Sequence, residues 1–176
     1  MAWAIFWMLA ARWSTKAVKR PALRRELVHR AITAAGAVLL FWPRFQRLLL
    51  AVLWRPSNAV AWSLVAVAIV GFLFTWWARV TLGALWSGNV TRKAEHQVVD
   101  RGPYALVRHP IYTGLDLAVL ATAALRGTVL ACAGAALMIV GFYMKARLEE
   151  SFLSQELGPE AYQAYARRTP MLIPFT

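Results

Sequence analysis

The sequence predicts an all-α integral membrane protein of about five transmembrane helices, the last two forming a helical hairpin. Hydrophobic residues make up 60% of the 176-residue chain, which exceeds the share in a soluble domain. Nine tryptophans agree, because tryptophan favours the membrane–water interface. A net charge of +12 would suggest nucleic-acid binding in a soluble protein. Here the basic residues flank apolar segments and face anionic membrane lipids, so we expect no nucleic-acid partner.

Three apolar segments carry the clearest helix signals. Segment 57–78 has no charged residue, and as a helix it rises about 33 Å, enough to cross a bilayer. Segment 128–144 is also uncharged and just long enough to span. Segment 111–125 is a third candidate, although it contains Asp116; an acid inside the membrane is either functional or paired with an arginine. The turn at Gly127 joins the last two segments as the hairpin.

The front of the chain is harder to assign. Segment 27–42 is apolar apart from His29, which we interpret as structural, and its neighbour arginine. Pro43 and two arginines then interrupt it. Either one kinked helix continues to about residue 54, or a short helix ends at Pro43 and 45–54 lies in the interface. Arginines inside a bilayer are costly, which favours the short helix. Segment 1–13 would give only about 20 Å of helix, which is marginal for a span.

Basic residues are distributed unevenly between the two membrane faces. If the chain crosses about five times, most of the 20 lysines and arginines fall on one face, which the positive-inside rule assigns to the cytoplasm of a bacterial inner membrane. Both ends of the hairpin lie on that face, so the segments flanking it are close together. We divide the chain into N-terminal membrane helices (1–81) and a core (82–176) of cytoplasmic connection (82–110), hairpin (111–148) and C-terminal cytoplasmic segment (149–176).

The first polar block lies just before the hairpin. Pro110 restricts His109 to an extended conformation and suits the first turn of a helix. Arg108 and His109 are therefore presented at a helix entrance, where cations and backbone N–H groups favour an anionic group such as a carboxylate. Tyr104 and Tyr112 offer aromatic faces that suit an adenine ring or a cation.

The second polar block follows the hairpin. We expect Glu149 and Glu150 to end the helix that begins near residue 128, where acids oppose the helix dipole. Two such acids close to Lys145 and Arg147 indicate a cationic partner. A ligand with a carboxylate at one end and an ammonium or sulfonium at the other would satisfy both blocks. The alternative is that the basic residues are membrane anchors and the acids only pair with them.

Together the two blocks resemble the isoprenylcysteine carboxyl methyltransferase family and, more broadly, the phospholipid N-methyltransferases. The likeness runs through 82–114 and 145–175, about a third of the chain, and the first 80 residues carry little of it. The motifs that carry it, in chain order, are H-x-x-V (96–99), G-P-Y (102–104), R-H-P-x-Y-x-G (108–114), the acid pair Glu149-Glu150, and the tyrosines Tyr162 and Tyr165.

The resemblance implies S-adenosylmethionine as cofactor, in a pocket formed by the cytoplasmic connection and the C-terminal segment. It also implies a tunnel through which a lipophilic substrate enters from the bilayer. Glu149 best matches the family's cofactor-binding glutamate, with Glu150 as the fallback. The residues that the resemblance places against the cofactor are Asn89, His96, Gln97, Val98, Val99, Tyr104, His109, Pro110, Ile111, Tyr112 and Glu149.

The sequence departs from the family at the substrate carboxylate. The family's prenylcysteine enzyme uses an arginine about four residues before the glutamate, whereas this chain has Lys145 there and Arg147 two residues nearer. A lysine keeps the charge but loses the bidentate fork, which makes a prenylcysteine carboxylate a doubtful substrate. The residues expected at the reacting groups are Arg108, Lys145, Arg147 and Glu150. An amine acceptor would also need a base, for which Glu150, His109 and Asp116 are candidates.

Two other function classes remain open from the sequence. Sterol reductases share this C-terminal helical architecture and use NADPH, although the acid pair suits a cationic ligand better. A small membrane protein without enzymatic activity could also keep the fold. Three histidines and one cysteine are widely scattered, so we expect no metal site. The chain has no G-x-G-x-x-G loop, which argues against a soluble Rossmann methyltransferase.

Overall fold

The computed structural model describes residues 23–42, 52–83, 99–157 and 159–176. These ranges are helical, with short connections and no strand within them. The predictions for segment 1–13 and for residues 45–51 lie outside the described residues. The helices are α1 (Leu23–Phe41), α2 (Asn58–Leu82), α3 (Pro103–Leu106), α4 (Pro110–Arg126), α5 (Val129–Leu157) and α6 (Pro159–Arg168).

Local sequence signals set most of the helix ends. The Ser57 hydroxyl accepts a hydrogen bond from the Val60 N–H at 3.4 Å, which caps α2. Pro110 occupies the first turn of α4, where its missing N–H costs nothing. Gly127 ends α4 in the left-handed conformation, with φ of 61°. The Thr128 hydroxyl then accepts from the Ala131 N–H at the start of α5. The predicted segments 57–78 and 111–125 are thus confirmed as helices.

The first helix of the described chain ends close to where the short-helix alternative places its end, and the location of 45–54 in the interface stays a prediction. Helix α1 ends at Phe41, because Pro43 disfavours the helical conformation in the residue before it. After the gap, Leu53 donates its N–H to the Gly127 carbonyl at 2.7 Å, and the Trp54 indole donates to the Ala124 carbonyl at 2.7 Å. Residues 53 and 54 therefore lie against the turn of the α4–α5 hairpin.

The predicted end of α5 is wrong. The helix continues through Glu149 and Glu150 to Leu157, so the two acids lie inside a helix and their opposition to its dipole does not apply. The prediction stopped where apolar residues give way to charged ones. Residues 145–157 are rich in leucine, glutamate, lysine and arginine, which favour helix, so the helix continues beyond the apolar span.

Glycines let two pairs of helices approach closely. Helix α2 packs on α4, and a Cβ added at Gly114 would lie 2.5 Å from the Gly71 carbonyl oxygen. Helix α1 packs on α5, and a Cβ added at Gly134 would lie 2.7 Å from the Gly36 carbonyl oxygen. Small residues at helix contacts are typical of membrane proteins, in which apolar burial alone does not drive helices together.

The outer surface is strongly apolar. Helix α2 exposes Trp62 (74%) and Leu73 (62%), side chains that a soluble protein of this size would bury. By length and composition, two helices of the described chain could cross a membrane, Asn58–Leu82 and Val129–Gln155. The buried apolar cluster inside the bundle consists of Leu40, Val119, Ala123, Ala131, Ala135 and Met138.

The four long helices alternate in direction. On α2 and α4, Gly71 meets Gly114 and Ala118, whereas Thr75, farther along α2, donates a hydrogen bond to the Ile111 carbonyl, so the two helices are antiparallel. Helices α1 and α5 are also antiparallel, because Gly134 of α5 meets Leu40 near the end of α1, whereas Gly141, farther along α5, meets Thr33 nearer the start of α1. The start of α1, the end of α2, the start of α4 and the later part of α5 therefore meet at one end of the bundle. The polar residues gather at this end.

Candidate active site

His109 lies at the centre of the polar end of the bundle. Its Nε2 is 3.3 Å from Glu150 Oε1 and its Nδ1 is 3.6 Å from Glu149 Oε2. The His109 side chain is almost fully buried. Burial opposes a charge on the imidazole, but the hydrogen bonds and charges of both carboxylates outweigh it and raise the pKa of His109 above its ordinary value of 6.5. The two carboxylates thus favour the protonated form of His109, which lies between them.

Arg108 links α5 to the C-terminal segment. Its Nε donates to Glu150 Oε1 at 2.6 Å, and both side chains are 13% exposed. One terminal nitrogen also donates to the carbonyls of Ala166 at 2.9 Å and Thr169 at 2.6 Å. Since a buried guanidinium is costly unless its donors are satisfied, these three acceptors account for its position.

Tyr112 holds the second acid. Its hydroxyl donates to Glu149 Oε1 at 2.7 Å. The ring stacks on His109, with centroids 5.7 Å apart, and on Phe142 at 5.9 Å. Lys145 Nζ lies 5.5 Å from the centroid of the Tyr112 ring, within cation–π range. We call Arg108, His109, Tyr112, Glu149 and Glu150 the polar cluster.

The backbone of the C-terminal segment pairs with the entrance of α4. Arg108 donates its N–H to the Pro170 carbonyl at 2.8 Å, and His109 donates its own to the Met171 carbonyl at 3.1 Å. The Thr113 hydroxyl donates to the Leu172 carbonyl at 2.7 Å. The N–H groups of Arg108 and His109 therefore do not contribute to an anion site at this helix entrance, because the chain itself occupies them. The cationic side chains remain.

Tyr104 joins the same end of the bundle from α3. Its side chain is buried, and its carbonyl accepts a hydrogen bond from the Tyr165 hydroxyl at 2.7 Å. Burial, followed by the nearby charge of Glu149, raises the pKa of the Tyr104 hydroxyl, whereas Arg79 at the end of α2 acts in the opposite direction. Arg79 is fully buried and donates to the Gly83 carbonyl at 2.9 Å. Tyr104 is thus a neutral, buried aromatic next to the polar cluster.

The predicted site residues fall into three groups. The five residues of the polar cluster come together, with Lys145 against Tyr112 and with Pro110 and Ile111 in the first turn of α4. Arg147 is exposed and lies two residues from Glu149, about 200° around α5, so the structure does not bring it to the cluster. Val99 is described and partly buried. The predictions that lie outside the described residues are those for Asn89, His96, Gln97 and Val98.

Sequence reasoning missed two residues that build the site. Thr113 stands inside the R-H-P-x-Y-x-G motif, yet nothing in the pattern indicates that its hydroxyl reaches the Leu172 carbonyl. Thr169 is buried and provides a carbonyl to Arg108. Each contact joins residues far apart in the sequence, 59 positions for Thr113 and Leu172 and 61 positions for Arg108 and Thr169. A local sequence pattern does not indicate contacts over such a separation.

Chemically, the cluster combines anions and cations in a partly dry environment. Two carboxylates face His109, Arg108 and the nearby Lys145, and aromatic rings line the same side. Such a mixture recognises a zwitterionic ligand, whose ammonium and carboxylate can each find an opposite charge.

A comparison of the chain with models of known families decides the family. Residues 64–155, just over half of the chain, match the model described as the isoprenylcysteine carboxyl methyltransferase (ICMT) family. The chain belongs to the ICMT family. The matched region contains α4, most of α2 and nearly all of α5, and with them the whole polar cluster. The resemblance drawn from the motifs is confirmed.

Relatives with curated names include two methyltransferases and a metal-resistance protein. Methanethiol S-methyltransferase 1 of Bradyrhizobium diazoefficiens is 28% identical over 181 residues, covering 93% of this chain and 58% of the relative. Protein-S-isoprenylcysteine O-methyltransferase B of Arabidopsis thaliana is 28% identical over 88 residues, covering 49% and 44%. Cobalt-zinc-cadmium resistance protein CzcN of Cupriavidus metallidurans is 34% identical over 96 residues, covering 53% and 44%. The chain thus spans about half the length of these relatives.

The ICMT fold is also shown by a solved structure. A chain described as the eukaryotic intramembrane Ras methyltransferase ICMT matches with a TM-score of 0.57 at 19% identity, over 90% of this chain and 55% of that one. At this identity the likeness shows the fold alone. The family and the apolar helices together indicate an integral membrane protein.

Proposed function

We propose that this protein is a membrane methyltransferase that uses S-adenosylmethionine to methylate a lipophilic acceptor. The observation that carries the proposal is the polar cluster, in which Arg108 and His109 at the entrance of α4 and Tyr112 within it meet Glu149 and Glu150 of α5. These residues lie within the region that matches the ICMT family. Relatives named as S- and O-methyltransferases support the same class of reaction.

The residues present fit such a cofactor. S-adenosylmethionine carries an ammonium, a sulfonium, a carboxylate and an adenine, so its site needs acids, a cation and an aromatic face. Glu149 supplies the acid, Lys145 the cation, and Tyr112 and Tyr104 the aromatic faces. We propose that Asn89, His96, Gln97, Val98 and Val99 complete the wall around them.

When bound, the cofactor supplies a methyl group on a positively charged sulfur, and a nucleophile that attacks the methyl carbon in line displaces that sulfur. The protein's own part is positioning and the exclusion of water. Tyr112 and His109 fix the Glu149 carboxylate in one orientation by contacting both of its oxygens. Arg108 and His109 both contact one Glu150 oxygen, so these cations must move before that oxygen takes a proton. Glu150 therefore suits a positioning role better than the role of base.

The acceptor class follows from the lysine at position 145. A lysine is a point charge without the fork that grips a carboxylate, and Arg147 lies on the exposed side of α5. This stretch of α5 therefore offers a prenylcysteine carboxylate only one cation close to the polar cluster, Lys145. We propose a lipophilic acceptor that the enzyme recognises mainly through its apolar part.

We also propose that the chain crosses a bacterial inner membrane about five times, with the polar end of the bundle in the cytoplasm. The support is the excess of lysine and arginine in the segments at that end. The alternating directions of α1, α2, α4 and α5 are consistent with four of these crossings.

The test is calorimetric titration of the detergent-purified protein with S-adenosylhomocysteine, the product form of the cofactor, and with NADPH for comparison. We expect S-adenosylhomocysteine to bind and NADPH not to bind. Glu149→Gln should weaken binding by about tenfold or more, because it removes a charge facing the ligand's ammonium. Glu160→Gln, the same change at an exposed acid on α6, is the matched control. Binding of NADPH alone would contradict the proposal and indicate a reductase.

A further inference from the structure

Helix α1 brings two buried polar groups to the polar end of the bundle. Glu26 and His29 are each only 5% exposed. Glu26 Oε2 pairs with Arg30, but Glu26 Oε1 and His29 Nε2 have no hydrogen-bond partner among the residues that the structure describes. A buried polar atom without a partner costs free energy, so a pair of them on one helix face calls for an explanation.

The register of α1 against α5 shows what these groups face. A Cβ at Gly134 would meet the Leu40 N–H, and a Cβ at Gly141 would meet Thr33 Oγ1 at 2.1 Å and the His29 carbonyl at 3.1 Å. Moving forward along α5 therefore means moving back along α1. One turn beyond Gly141 lies Lys145, which is thus level with the His29 side chain.

Glu149 follows one turn later on α5 and is level with Glu26, one turn earlier on α1 than His29. The charges of both Lys145 and Glu149 act on His29, as this register requires. Glu149 therefore has His109, just before α4, and Tyr112 of α4 on one side and the Glu26–His29 face of α1 on the other.

This inference rests on the proposed function: we propose that His29 is the base that takes the proton from the methyl acceptor, and that the acceptor is a lipophilic thiol. The S–H bond breaks and its proton moves to His29 Nε2. The sulfur electron pair forms the new S–C bond. The bond from the methyl carbon to the cofactor's sulfonium breaks, and its electron pair stays on the departing thioether.

The charges around His29 favour a thiol over an amine. They come from Glu26 and Arg30 on α1 and from Lys145 and Glu149 on α5. Lys145 has the largest effect of these four charges on His29, and a cation there repels an ammonium and stabilises a developing thiolate. A carboxylate acceptor needs no base and would leave His29 without a role.

The decisive experiment compares two thiols in the His29→Gln variant. Octanethiol keeps its proton at neutral pH and needs a base, whereas thiophenol is largely ionised and does not. We expect His29→Gln to lower kcat/KM for octanethiol by about a hundredfold or more and to change the value for thiophenol far less. Glu26→Gln should show the same pattern with a smaller loss. Affinity for S-adenosylhomocysteine should stay unchanged in both variants.

Equal losses for both thiols would overturn the proposal, because they indicate a structural role for His29. An unchanged rate with octanethiol would overturn it as well. Failure of the proposed function is recognised separately, since the unaltered protein would then not bind S-adenosylhomocysteine.

A second readout does not depend on activity. Diethyl pyrocarbonate modifies neutral, accessible imidazoles, and mass spectrometry locates the modified residue. His29 is only 5% exposed, so the reagent reaches it only along the route that the acceptor takes. On that route we expect His29 to react, and methyl octyl sulfide, the product of octanethiol, to protect it. His109 is the internal control, because both of its ring nitrogens face carboxylates and it should stay unmodified. An unreactive His29, or one that the product does not protect, would contradict the assignment.

Discussion

The two ends of the α4–α5 hairpin differ in what holds them together. At the turn, Gly127 lets the chain reverse, and small or aliphatic residues such as Ala123 and Ala131 pack with α1 through Leu40. At the open end, Arg108 and His109 meet two acids and the backbone of the C-terminal segment. The turn end needs only close packing, whereas the open end must satisfy every charge that it buries.

This difference teaches where the chain places its function. Closely packed glycine and alanine surfaces give stability inside lipid at little cost. Buried ion pairs seldom stabilise a fold more than apolar residues of the same volume would. Stability alone therefore does not explain the buried ion pairs at the open end of the hairpin, whereas the proposed ligand site would.

Breaking the open end at Arg108 should have the largest effect. Arg108→Met removes the bond to Glu150 and both side-chain bonds to the C-terminal carbonyls, and it leaves Glu150 buried with less compensation. We expect a loss of about 3–5 kcal/mol in the free energy of unfolding, measured by tryptophan fluorescence in detergent. Arg167→Met, at an exposed position on α6, should change little.

A double variant sharpens this prediction. Arg108→Met combined with Glu150→Gln should cost less than the sum of the two single changes, because the second change removes the charge that the first leaves unpaired. Simple additivity would mean that the two side chains do not interact energetically.

Crowding a glycine contact should have a smaller effect. In Gly114→Ala, the new Cβ would lie 2.3 Å from Thr75 Oγ1 and 2.5 Å from the Gly71 carbonyl oxygen, so α2 and α4 must separate. We expect a loss of about 1–3 kcal/mol in the same unfolding measurement. Adding Thr75→Ala should recover only part of it, because the Gly71 carbonyl stays in place. Full stability of Gly114→Ala would show that the two helices are not in contact there.

Raising the pH should have the smallest effect, because it removes only the charge of His109 and leaves the charge of Arg108 in place. The pKa of His109 is higher in the folded protein than its ordinary value of 6.5. Its contribution to stability is therefore complete below about pH 6.5 and is lost as the pH rises through the folded-state pKa. The melting temperature should fall over that interval, and His109→Gln should flatten the fall. Parallel curves for the two proteins would exclude His109 as the titrating group.

The long apolar segments could be predicted as helices from the sequence alone. The closeness of the two polar blocks could be predicted as well. Because a hairpin returns the chain to the same side, Arg108 and Glu150 could be expected near each other before any contact was known. The end of α5 could not be placed, since helix-forming charged residues continue an apolar helix without any signal at the boundary.

The surroundings of His29 show a second limit. A lone histidine in an apolar stretch is usually structural, and its sequence neighbours argue for nothing else. Only the register between α1 and α5, set by Gly134 and Gly141, places it level with Lys145. Long-range register of this kind depends on which glycines face each other, and a single sequence does not record that pairing.

The bonds from Arg108 to the C-terminal segment have a consequence for how the protein is made. The ribosome adds Ala166 58 residues after Arg108, and Thr169 61 residues after it. Arg108 can therefore meet these carbonyls only after the whole hairpin has been synthesised. In the topology proposed above, both helices of the hairpin must also be inserted first, because otherwise the C-terminal segment would lie on the opposite side of the membrane from Arg108. Completion of the polar cluster would thus depend on correct insertion of the hairpin.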